Sequence, residues 1–371
     1  MLAKQCCLNN MSSFSGLKVF VTGHTGFKGA WLASWLLRLG ANVDGYALPP
    51  CYENSLFETL DLEKKLHHTE GDIRDYECLS QAITKSQPDV IFHLAAQAIV
   101  STSYLKPIET ISTNVIGTAN LLDCIRKIKK STQTVLITSD KSYFNAEWPW
   151  GYRETDRIGG KDIYSGSKGA AEIIIQSYLE SYFKNPKPHS IAVARAGNVI
   201  GGGDWASDRL IPDIYRSWAS NLPVEIRCPQ STRPWQHVLE PIGGYLKLAY
   251  LLRSNTCLHG EAFNFGPSFQ ENKTVLNLIT DLANLSDVSP PGDPYLISDN
   301  IPFDESSLLK LNCDKAQMFL KWNAVLSYSM TLKYVQEWYD CYMNDPSGCA
   351  YLVDKQISNY TSLINEKFLS P

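Results

Sequence analysis

The stretch VFVTGHTGFKGAWL, residues 19–32, joins a short β-forming run to an apolar helical pattern through three glycines. Gly23, Gly26 and Gly29 follow the spacing G-x-x-G-x-x-G. Glycines at a strand–helix junction allow a tight turn and a close approach of the backbone to a pyrophosphate, and the helix N-terminus adds free N–H groups. The stretch therefore predicts the first strand, phosphate-binding turn and first helix of a dinucleotide-binding fold. A simple glycine-rich turn is the alternative.

Strand and helix patterns alternate from Leu17 to about Ala196, which is typical of a parallel sheet covered by helices. Long helical patterns lie around residues 106–130 and 162–184. The predicted strands carry the sequences LKVFVT, ANVDGYAL, DVIFHLAA, TVLITSD, SIAVARAGNVI and EAFNFG. We therefore expect an α/β fold, a doubly wound parallel (Rossmann) sheet with a smaller mixed C-terminal lobe.

The amino-acid composition of the chain changes after Gly201, where Pro, Trp, Arg and Gly become frequent. Irregular segments of this kind often form ligand-facing loops above a cofactor domain, and Pro-rich surface loops are the alternative. The predicted divisions are a dinucleotide-binding domain at 17–196 to which 235–266 return, a substrate lobe at 197–234 and 267–371, and a leader at 1–16 that need not be ordered.

The composition is that of a soluble globular protein. The chain has 371 residues, of which 44% are hydrophobic and 19% charged, and a formal net charge of −4. This charge balance gives no indication of nucleic acid or an anionic membrane as a partner. The ten cysteines lack metal-ligand spacing, so we expect a reduced, cytoplasmic protein that binds no metal.

The residues after the first helix favour NAD over NADP. Dinucleotide-binding folds commonly place an acidic residue about 20 positions after the glycines. Here the second strand ends in GYALPP, and Asp44 lies mid-strand, where it can face either way. No Arg or Lys lies between Leu39 and Glu63 to meet a 2′-phosphate. Asp72 and Ile73 end the third strand and are candidates for the adenine edge, with a loop-capping Asp72 as the alternative.

Polar residues with catalytic chemistry follow the strand TVLITSD. Its end carries Ser139, Asp140 and Lys141, at the sheet edge where open α/β folds bind ligands. Tyr164 and Lys168 are four residues apart in a helical stretch and therefore share a face. A neighbouring ammonium lowers the pKa of a phenol, so Tyr164 can act as acid or base while Ser139 holds a substrate hydroxyl. A chance pair on a helix and a salt-bridged strand end are the alternatives.

Seven motifs extend over nearly the whole chain: VTGHTGFKGAWL, HLAAQ, TNVIGT, TSDKSYFNAEWPWGYRETD, YSGSK, RAGNVIGGGDWASDRLIPD and TRPWQHVLEP. Together they resemble the extended short-chain dehydrogenase/reductase family, and within it the NAD-dependent nucleotide-sugar dehydratases. The resemblance implies NAD as cofactor and CDP-D-glucose as substrate. After HLAAQ the chain reads AIVSTSY, without the basic residues that the family tends to show there, which leaves open which side chains steady the diphosphate or the cofactor.

The resemblance also implies a role for each matched residue. Ser139, Tyr164 and Lys168 match the oxidation triad, whereas Asp140 and Lys141 match the pair that eliminates water. The cofactor-binding candidates are Gly23, His24, Thr25, Gly26, Phe27, Lys28, Gly29, Asp72, Ile73, Leu94, Ala95, Ala96, Asn114, Tyr164 and Lys168. The substrate-binding candidates are Gln97, Ser139, Asn198, Arg209, Arg233 and His237. Each of the last four also has an alternative as an ion-paired or capping residue.

The predicted reaction converts CDP-D-glucose to CDP-4-dehydro-6-deoxy-D-glucose and water. C4 is oxidised by NAD, water leaves across C5–C6, and the hydride returns to C6. Elimination requires a protonated Asp140 and a neutral Lys141, and burial favours both forms. One alternative is a nucleotide-sugar 4-epimerase, which has no use for that pair. The other is a non-catalytic NAD-binding sensor or scaffold, which needs none of the triad.

Two helical segments predict a homodimer. The stretches NVIGTANLLDCI and AAEIIIQSYL, within 106–130 and 162–184, carry apolar residues on more than one face. One face covers the sheet, so the other calls for a second partner.

Overall fold

The computed structural model describes residues 14–267, 272–298 and 308–369. The strands, numbered in chain order, are β1 (Lys18–Thr22), β2 (Asn42–Ala47), β3 (His67–Glu70), β4 (Val90–His93), β5 (Thr132–Ser139), β6 (His189–Ala196), β7 (Val199–Ile200), β8 (Val224–Ile226), β9 (Thr232–Pro234), β10 (Gln236–His237), β11 (Ala262–Phe265), β12 (Asn272–Thr274) and β13 (Tyr295–Ile297).

The helices are α1 (Phe27–Arg38), α2 (Leu56–Thr59), α3 (Tyr76–Ser86), α4 (Val100–Leu105), α5 (Pro107–Ile111), α6 (Gly117–Ile125), α7 (Ile163–Tyr182), α8 (Leu210–Ala219), α9 (Leu239–Leu252), α10 (Val275–Ala283), α11 (Tyr328–Asn344) and α12 (Cys349–Leu369). Short 3₁₀ turns cover Leu62–Lys64, Asp140–Ser142, Thr256–Leu258 and Pro346–Gly348, and π-helical turns cover Ser112–Ile116 and Ala316–Leu320.

Seven parallel strands form the central sheet in the order β11-β6-β5-β4-β1-β2-β3. The chain order reverses between β1 and β4, so a crevice opens at the carboxyl edge of these strands. The stretch AFNF of β11 pairs with the end of β6, from Ala262↔Val193 to Phe265↔Ala196. The predicted doubly wound α/β fold is confirmed.

Helices cover both faces of the sheet and enclose two cores. On one face α1, α9, α11 and α12 surround a large aromatic core that includes Trp35 and Trp338. On the other face α3, α6 and α7 bury Leu79, Leu121 and Ile175. Full burial of a Leu or Ile side chain is worth about 1.5–3 kcal/mol. These contacts hold the loops at the carboxyl edge of the sheet in place.

The C-terminal lobe shares the first of these cores. Trp218 of α8, Leu278 of α10 and Trp322 belong to the same buried cluster as Val21 of β1. Three two-stranded sheets, β7–β10, β9–β12 and β8–β13, order the irregular segments of the lobe. Phe14 is also buried in this core. The predicted leader otherwise falls on residues 1–13, which lie outside the described residues, and the domain boundaries remain predictions.

Among the described residues, none of the helices has the length and apolar character needed to cross a membrane. The same ranges contain no group of three or more His, Cys, Asp or Glu side chains that could hold a metal ion.

Candidate active site

The glycine turn between β1 and α1 is built for close backbone contacts. Gly23 has a φ of +77°, and a Cβ there would lie 2.7 Å from the backbone nitrogen of Ala95. A Cβ on Gly29 would lie 2.0 Å from the carbonyl oxygen of Gly23. Gly26 is the N-cap of α1, where no side chain caps the helix and the first turn has no acidic residue. The open N–H groups and positive dipole end fit the pyrophosphate of a dinucleotide.

His24 and Thr25 stabilise the loops around this turn. Nε2 of the fully buried His24 lies 2.7 Å from Nδ1 of His68. Burial, followed by the charge of His68, lowers the pKa of His24 to about 3, so the ring is neutral. Thr25 Oγ1 donates a hydrogen bond to the carbonyl of Leu48 over 2.9 Å. Both predicted cofactor residues therefore act on protein neighbours, while Phe27 is half-buried beside them.

Lys28 brings a cation from the first turn of α1 into the surroundings of the catalytic residues. Burial, together with the charges of Arg209 and Lys168, lowers the pKa of Lys28 to about 8 against the opposing effects of Asp140 and Asp204. The sequence assigned Lys28 only to the cofactor and missed its proximity to Asp140. The sequence did contain an indication of a special role for Lys28, because a cation is electrostatically disfavoured in the first turn of a helix.

The acidic candidates at the adenine side have protein partners. Asp44 faces α3, where Oδ2 accepts a hydrogen bond from Ser86 Oγ over 2.5 Å. Asp72 is held by Arg74, whose Nε lies 2.9 Å from Oδ2, and this bond lowers the pKa of the carboxyl. Ile73 is buried in the core of the second face. Asp72 thus lies at the surface paired with Arg74, and the side chain of Ile73 serves packing.

Asn114 and Gln97 link two loops of the crevice. The helical pattern predicted at 106–130 is interrupted by the π-helical turn Ser112–Ile116, a feature frequent at functional sites. In this turn Asn114 Nδ2 donates to Ser167 Oγ over 2.8 Å, and Oδ1 accepts from the Gln97 backbone N–H over 2.8 Å. The Gln97 amide donates to Thr110 Oγ1 and accepts from the Ile99 N–H. The Gln97 side chain thus holds the loop together, and its contact with substrate stays a prediction.

The segment Leu94–Ala96 follows β4 directly and lies against the glycine turn. Its three residues, Leu94, Ala95 and Ala96, are partly buried. The Ala95 N–H donates to Thr22 Oγ1 over 3.2 Å. The segment therefore forms the wall of the crevice beside Gly23, and its contact with a cofactor stays a prediction.

The end of β5 is followed directly by a 3₁₀ turn. Ser139 is the last residue of the strand, and Asp140 and Lys141 are the first two residues of the turn. Ser139 Oγ donates to Asp140 Oδ1 over 3.0 Å and accepts from the Lys141 N–H over 3.2 Å. Asp140 is only 5% exposed, and burial raises the pKa of its carboxyl against the opposing effects of Lys141, Ser139 and Lys28. A Cβ on Gly197 would lie 3.1 Å from Asp140 Oδ2, so a glycine makes room for this carboxyl. The environment favours the protonated acid.

Tyr164 and Lys168 lie buried in the first turns of α7, each 7% exposed. Nζ of Lys168 is 5.9 Å from the centre of the Tyr164 ring. Burial raises the pKa of Tyr164 to about 12, Arg209 is the largest effect that lowers it, and a hydrogen bond with Ser139 also lowers it. Burial dominates the pKa of this phenol and Arg209 is the cation with the largest effect on it, whereas the expected effect of Lys168 stays a prediction. Burial lowers the pKa of Lys168 to about 8.

Arg209 and Asn198 reach the same crevice from the segment after β6. Nη1 of Arg209 lies 2.7 Å from Oδ2 of the buried Asp204, at the start of α8. Asn198 is partly buried one residue after Gly197, which contacts Asp140. The structure thus places both candidates beside the catalytic residues. Asp204, which orients Arg209, escaped the sequence analysis.

His237 lies in β10 and Arg233 in β9 of the C-terminal lobe. His237 has no exposed surface and packs edge-on between Trp31 and Tyr334, at ring-centre distances of 5.7 and 5.4 Å. Burial lowers the pKa of His237 to about 3. A neutral side chain enclosed in the core does not support the predicted contact with substrate. Arg233 is half-buried in β9, opposite Lys273 of β12, and its Nη1 donates to the Thr232 carbonyl over 3.0 Å.

Comparisons with known proteins agree with this geometry. The family model described as GDP-mannose 4,6 dehydratase matches residues 20–196. CDP-glucose 4,6-dehydratase of Salmonella typhimurium is 45% identical over 94% of this chain and 97% of that protein. Among solved structures, an epimerase of Methanothermobacter thermautotrophicus aligns with a TM-score of 0.76 at 21% identity, over 94% of this chain and 97% of its own. A dTDP-glucose 4,6-dehydratase of Bacillus anthracis, solved with NAD, aligns with a TM-score of 0.71 at 20% identity. The alignment covers 88% of this chain and 97% of that structure's chain.

The two structures are less than a quarter identical to this chain and establish the fold alone. The Salmonella relative is similar along almost the entire length of both proteins, including the segments that carry Ser139–Lys141 and Tyr164–Lys168. The chain therefore belongs to the family of nucleotide-sugar 4,6-dehydratases that includes CDP-glucose 4,6-dehydratase.

Proposed function

We propose that the protein converts CDP-D-glucose to CDP-4-dehydro-6-deoxy-D-glucose and water. The observation that carries this proposal is the position of Asp140, a buried carboxyl hydrogen-bonded to Ser139 and electrostatically coupled to Tyr164. Oxidation and reduction of a sugar alcohol need only the triad, whereas loss of water needs an additional acid and base beside it. The name of the 45% identical relative supports the same reaction and the same nucleotide.

NAD is the proposed cofactor, and the residues at the crevice fit it. Gly23 and Gly29 leave no room for a Cβ at the turn, and the start of α1 at Gly26 offers uncapped N–H groups to its pyrophosphate. The chain from residue 40 to 62 offers no Lys or Arg to a 2′-phosphate, which favours NAD over NADP. When bound, NAD accepts a hydride from C4 of the sugar and returns it to C6.

In the oxidation step Tyr164 removes the proton of the C4 hydroxyl. Its phenolate is costly in this buried position, and Arg209 and Ser139 are the groups that favour it. The hydroxyl of Ser139 can also donate a hydrogen bond to the substrate oxygen as it becomes a ketone. Lys168 supplies a positive charge within 5.9 Å of the ring centre. Together these residues position the C4 hydroxyl and stabilise the phenolate that accepts its proton.

In the elimination step Lys141 removes the proton at C5, which the C4 ketone acidifies. Asp140 donates its proton to the departing C6 hydroxyl, and water leaves. Lys141 then returns its proton to C5 when C6 is reduced. Tyr164 has gained one proton and Asp140 has lost one. Ser139 is hydrogen-bonded to Asp140 and lowers the pKa of Tyr164, so we propose that its hydroxyl passes the proton back from the phenol to the carboxyl and restores the enzyme.

The alternative of a 4-epimerase has weaker support. CDP-paratose 2-epimerase of Salmonella typhi, an epimerase of another carbon, is 26% identical over 71% of this chain. The fold is also shared with epimerases. An epimerase uses the oxidation triad but leaves Asp140 and Lys141 without a task. In a non-catalytic sensor or scaffold, neither the oxidation triad nor the Asp140–Lys141 pair would have a chemical role.

We further propose that the enzyme is a homodimer joined through the helices at 106–130 and 162–184. Large apolar side chains are exposed on and beside these helices, with Leu105 at 80%, Ile108 at 75% and Ile173 at 58%. Where exposed apolar side chains form a patch, the patch commonly marks an interface. A second copy of the chain, presenting the same helices, would cover it in a two-fold arrangement.

The test is to incubate the purified protein and NAD with CDP-, dTDP- and GDP-linked sugars and to identify the products by mass. Loss of one water from CDP-D-glucose, with the alkali-induced absorbance of a 4-keto-6-deoxy sugar, supports the proposal. Tyr164→Phe serves as the inactive control. A product of unchanged mass would indicate epimerisation, and preference for dTDP-D-glucose would contradict the assignment of the nucleotide.

A further inference from the structure

A buried ion pair lies directly behind the catalytic helix. Glu172 follows Lys168 by one helical turn on α7, and Arg195 lies on β6. Their side chains are only 4% and 3% exposed. Arg195 Nε lies 2.8 and 3.0 Å from the two carboxylate oxygens of Glu172, and its Nη2 also donates to Oε2. The result is a bidentate pair enclosed by the protein.

The pair holds both catalytic segments. Thr138, the residue before Ser139, donates from Oγ1 to Glu172 Oε1 over 2.6 Å. Arg195 Nη1 donates to the hydroxyl of Tyr143, just after the 3₁₀ turn of Asp140 and Lys141, over 2.6 Å. Glu172 therefore joins α7, which carries Tyr164 and Lys168, to the end of β5, which carries Ser139.

Glu172 lies one helical turn after Lys168 on α7, and its negative charge raises the pKa of the Lys168 ammonium. Among the described residues, the other charged or titratable groups near Lys168 include Tyr164 on the same helix, Lys28 of α1 and His93 of β4. His93 is neutral, because burial lowers its pKa to about 3. Lys28 repels a cation. Burial lowers the pKa of Lys168 to about 8, and Glu172 is the group that opposes this effect.

We propose that Glu172 is a positioning residue for the dehydratase reaction: its carboxylate fixes α7 against β5 and supplies the negative charge that acts on the Lys168 ammonium. This inference rests on the proposed function, since it assigns Glu172 an influence on Tyr164 through Lys168. A purely structural ion pair would support the fold equally well, but it would leave the pH dependence of turnover unchanged.

The pH profile of kcat/KM separates the two roles. Loss of the Glu172 charge lets Lys168 lose its proton at a lower pH, so activity declines earlier as the pH rises. An opposite charge within about 4–6 Å typically moves a pKa by roughly 1–3 units. For Glu172→Gln we therefore expect the alkaline limb of the profile to move down by about one pH unit or more. Glu172→Asp keeps the charge and should keep the limb, even if its rate is lower.

Thr138→Val is the matched control for geometry, because it removes a hydrogen bond of Glu172 and leaves every charge in place. Its alkaline limb should coincide with that of the wild type. An unshifted limb in Glu172→Gln would overturn the proposal, as would an equal shift in Thr138→Val. Absence of turnover in the wild type would instead refute the proposed function itself.

Glu172→Gln leaves Arg195 buried without its counter-charge, which is commonly destabilising. If the variant does not fold, Glu172→Gln/Arg195→Met removes both charges and provides the same test. Its limb should move in the same direction, because Arg195 is not among the groups coupled to Lys168. A folded double variant with the wild-type limb would overturn the proposal.

Discussion

Ser139 Oγ donates a hydrogen bond to Asp140 Oδ1 over 3.0 Å, and the same hydroxyl also acts on the phenol of Tyr164, whose pKa it lowers. The oxidation base and the elimination acid are thus connected through one side chain. This connection explains why a hydroxyl and a carboxyl occupy consecutive positions at the end of β5. It also implies that each group can be tested by the step at which its removal stops the reaction.

Asp140→Asn should stop the reaction after oxidation. The amide keeps the shape and hydrogen bond of the carboxyl but cannot give a proton to the C6 hydroxyl. Loss of a positioned acid typically costs about 10²–10⁴-fold in rate, so product formation should fall by that factor. In a single turnover the absorbance of the reduced nicotinamide should still appear, and the 4-keto sugar should accumulate. Tyr164→Phe is the control that should abolish both signals; loss of the nicotinamide signal in Asp140→Asn would contradict the division of roles.

Ser139→Ala should impair repeated turnover more than the first turnover. The variant removes the bridge by which the proton on Tyr164 returns to Asp140, in addition to a hydrogen bond to substrate. We expect the burst of the first turnover to fall roughly tenfold and the steady-state rate to fall further, within the range of about 10²–10⁴-fold. Ser139→Thr keeps a hydroxyl and should restore both phases. Equal losses in the two phases for Ser139→Ala would exclude the bridging role.

Gly29→Ala should abolish NAD binding while the sheet remains folded. A Cβ at this position would lie 2.0 Å from the Gly23 carbonyl oxygen, so the turn must open. Titration of the apoprotein with NAD, followed by intrinsic tryptophan fluorescence, measures the effect, and circular dichroism checks the fold. Gly292→Ala is the matched control, since its Cβ would meet no atom within 4 Å. Wild-type affinity in Gly29→Ala would show that the turn does not hold the cofactor.

The sequence predicts those features that depend on local spacing. The glycine turn, the alternation of strands and helices, and the Tyr164–Lys168 pair all follow from residue types at fixed intervals, and the structure reproduces them. Because the carboxyl ends of parallel strands meet at one edge of the sheet, the sequence alone predicts that Ser139 and Gly23 lie in one crevice.

Features that depend on tertiary packing could not be predicted. His237 stands in a polar motif, yet Trp31 and Tyr334 arrive from distant helices and enclose it. The pKa of Tyr164 rises because the site is buried, which no spacing reveals. Arg209 approaches Tyr164 only once α8 is packed into the core that the C-terminal lobe shares.

Ile108→Glu should convert the proposed dimer to a monomer. The side chain is 75% exposed in one chain, so a charge there costs little unless a partner covers it. Light scattering at micromolar concentration should give the mass of a dimer for the wild type and of a monomer for the variant. Leu222→Glu, at a residue that is 58% exposed and lies outside the proposed interface, should leave the mass unchanged. A monomeric wild type would contradict the proposal.

Glu240 should make the stability of the protein decrease as the pH rises towards neutrality. This buried carboxyl of α9 accepts hydrogen bonds from the Val325 and Leu326 N–H groups over 2.7 and 2.6 Å and from the Tyr360 hydroxyl over 2.8 Å. Burial nevertheless raises the pKa of Glu240 to about 7, whereas a glutamate in an unfolded chain has a pKa of about 4.3.

Between about pH 4.3 and 7 the folded protein thus retains a proton that the unfolded chain has released. Stability from this difference is fully present below the lower value and is lost as the pH rises through the upper one. For Glu240→Gln, which does not titrate, the fall in unfolding free energy between pH 5 and pH 8 should be smaller than for the wild type by up to roughly 3 kcal/mol. Urea unfolding at the two pH values measures the difference. Glu225→Gln, at an exposed position in β8, is the control that should keep the wild-type pH dependence. If Glu240→Gln loses as much stability as the wild type over this range, the carboxyl is ionised in the folded protein, and its three hydrogen-bond donors outweigh its burial.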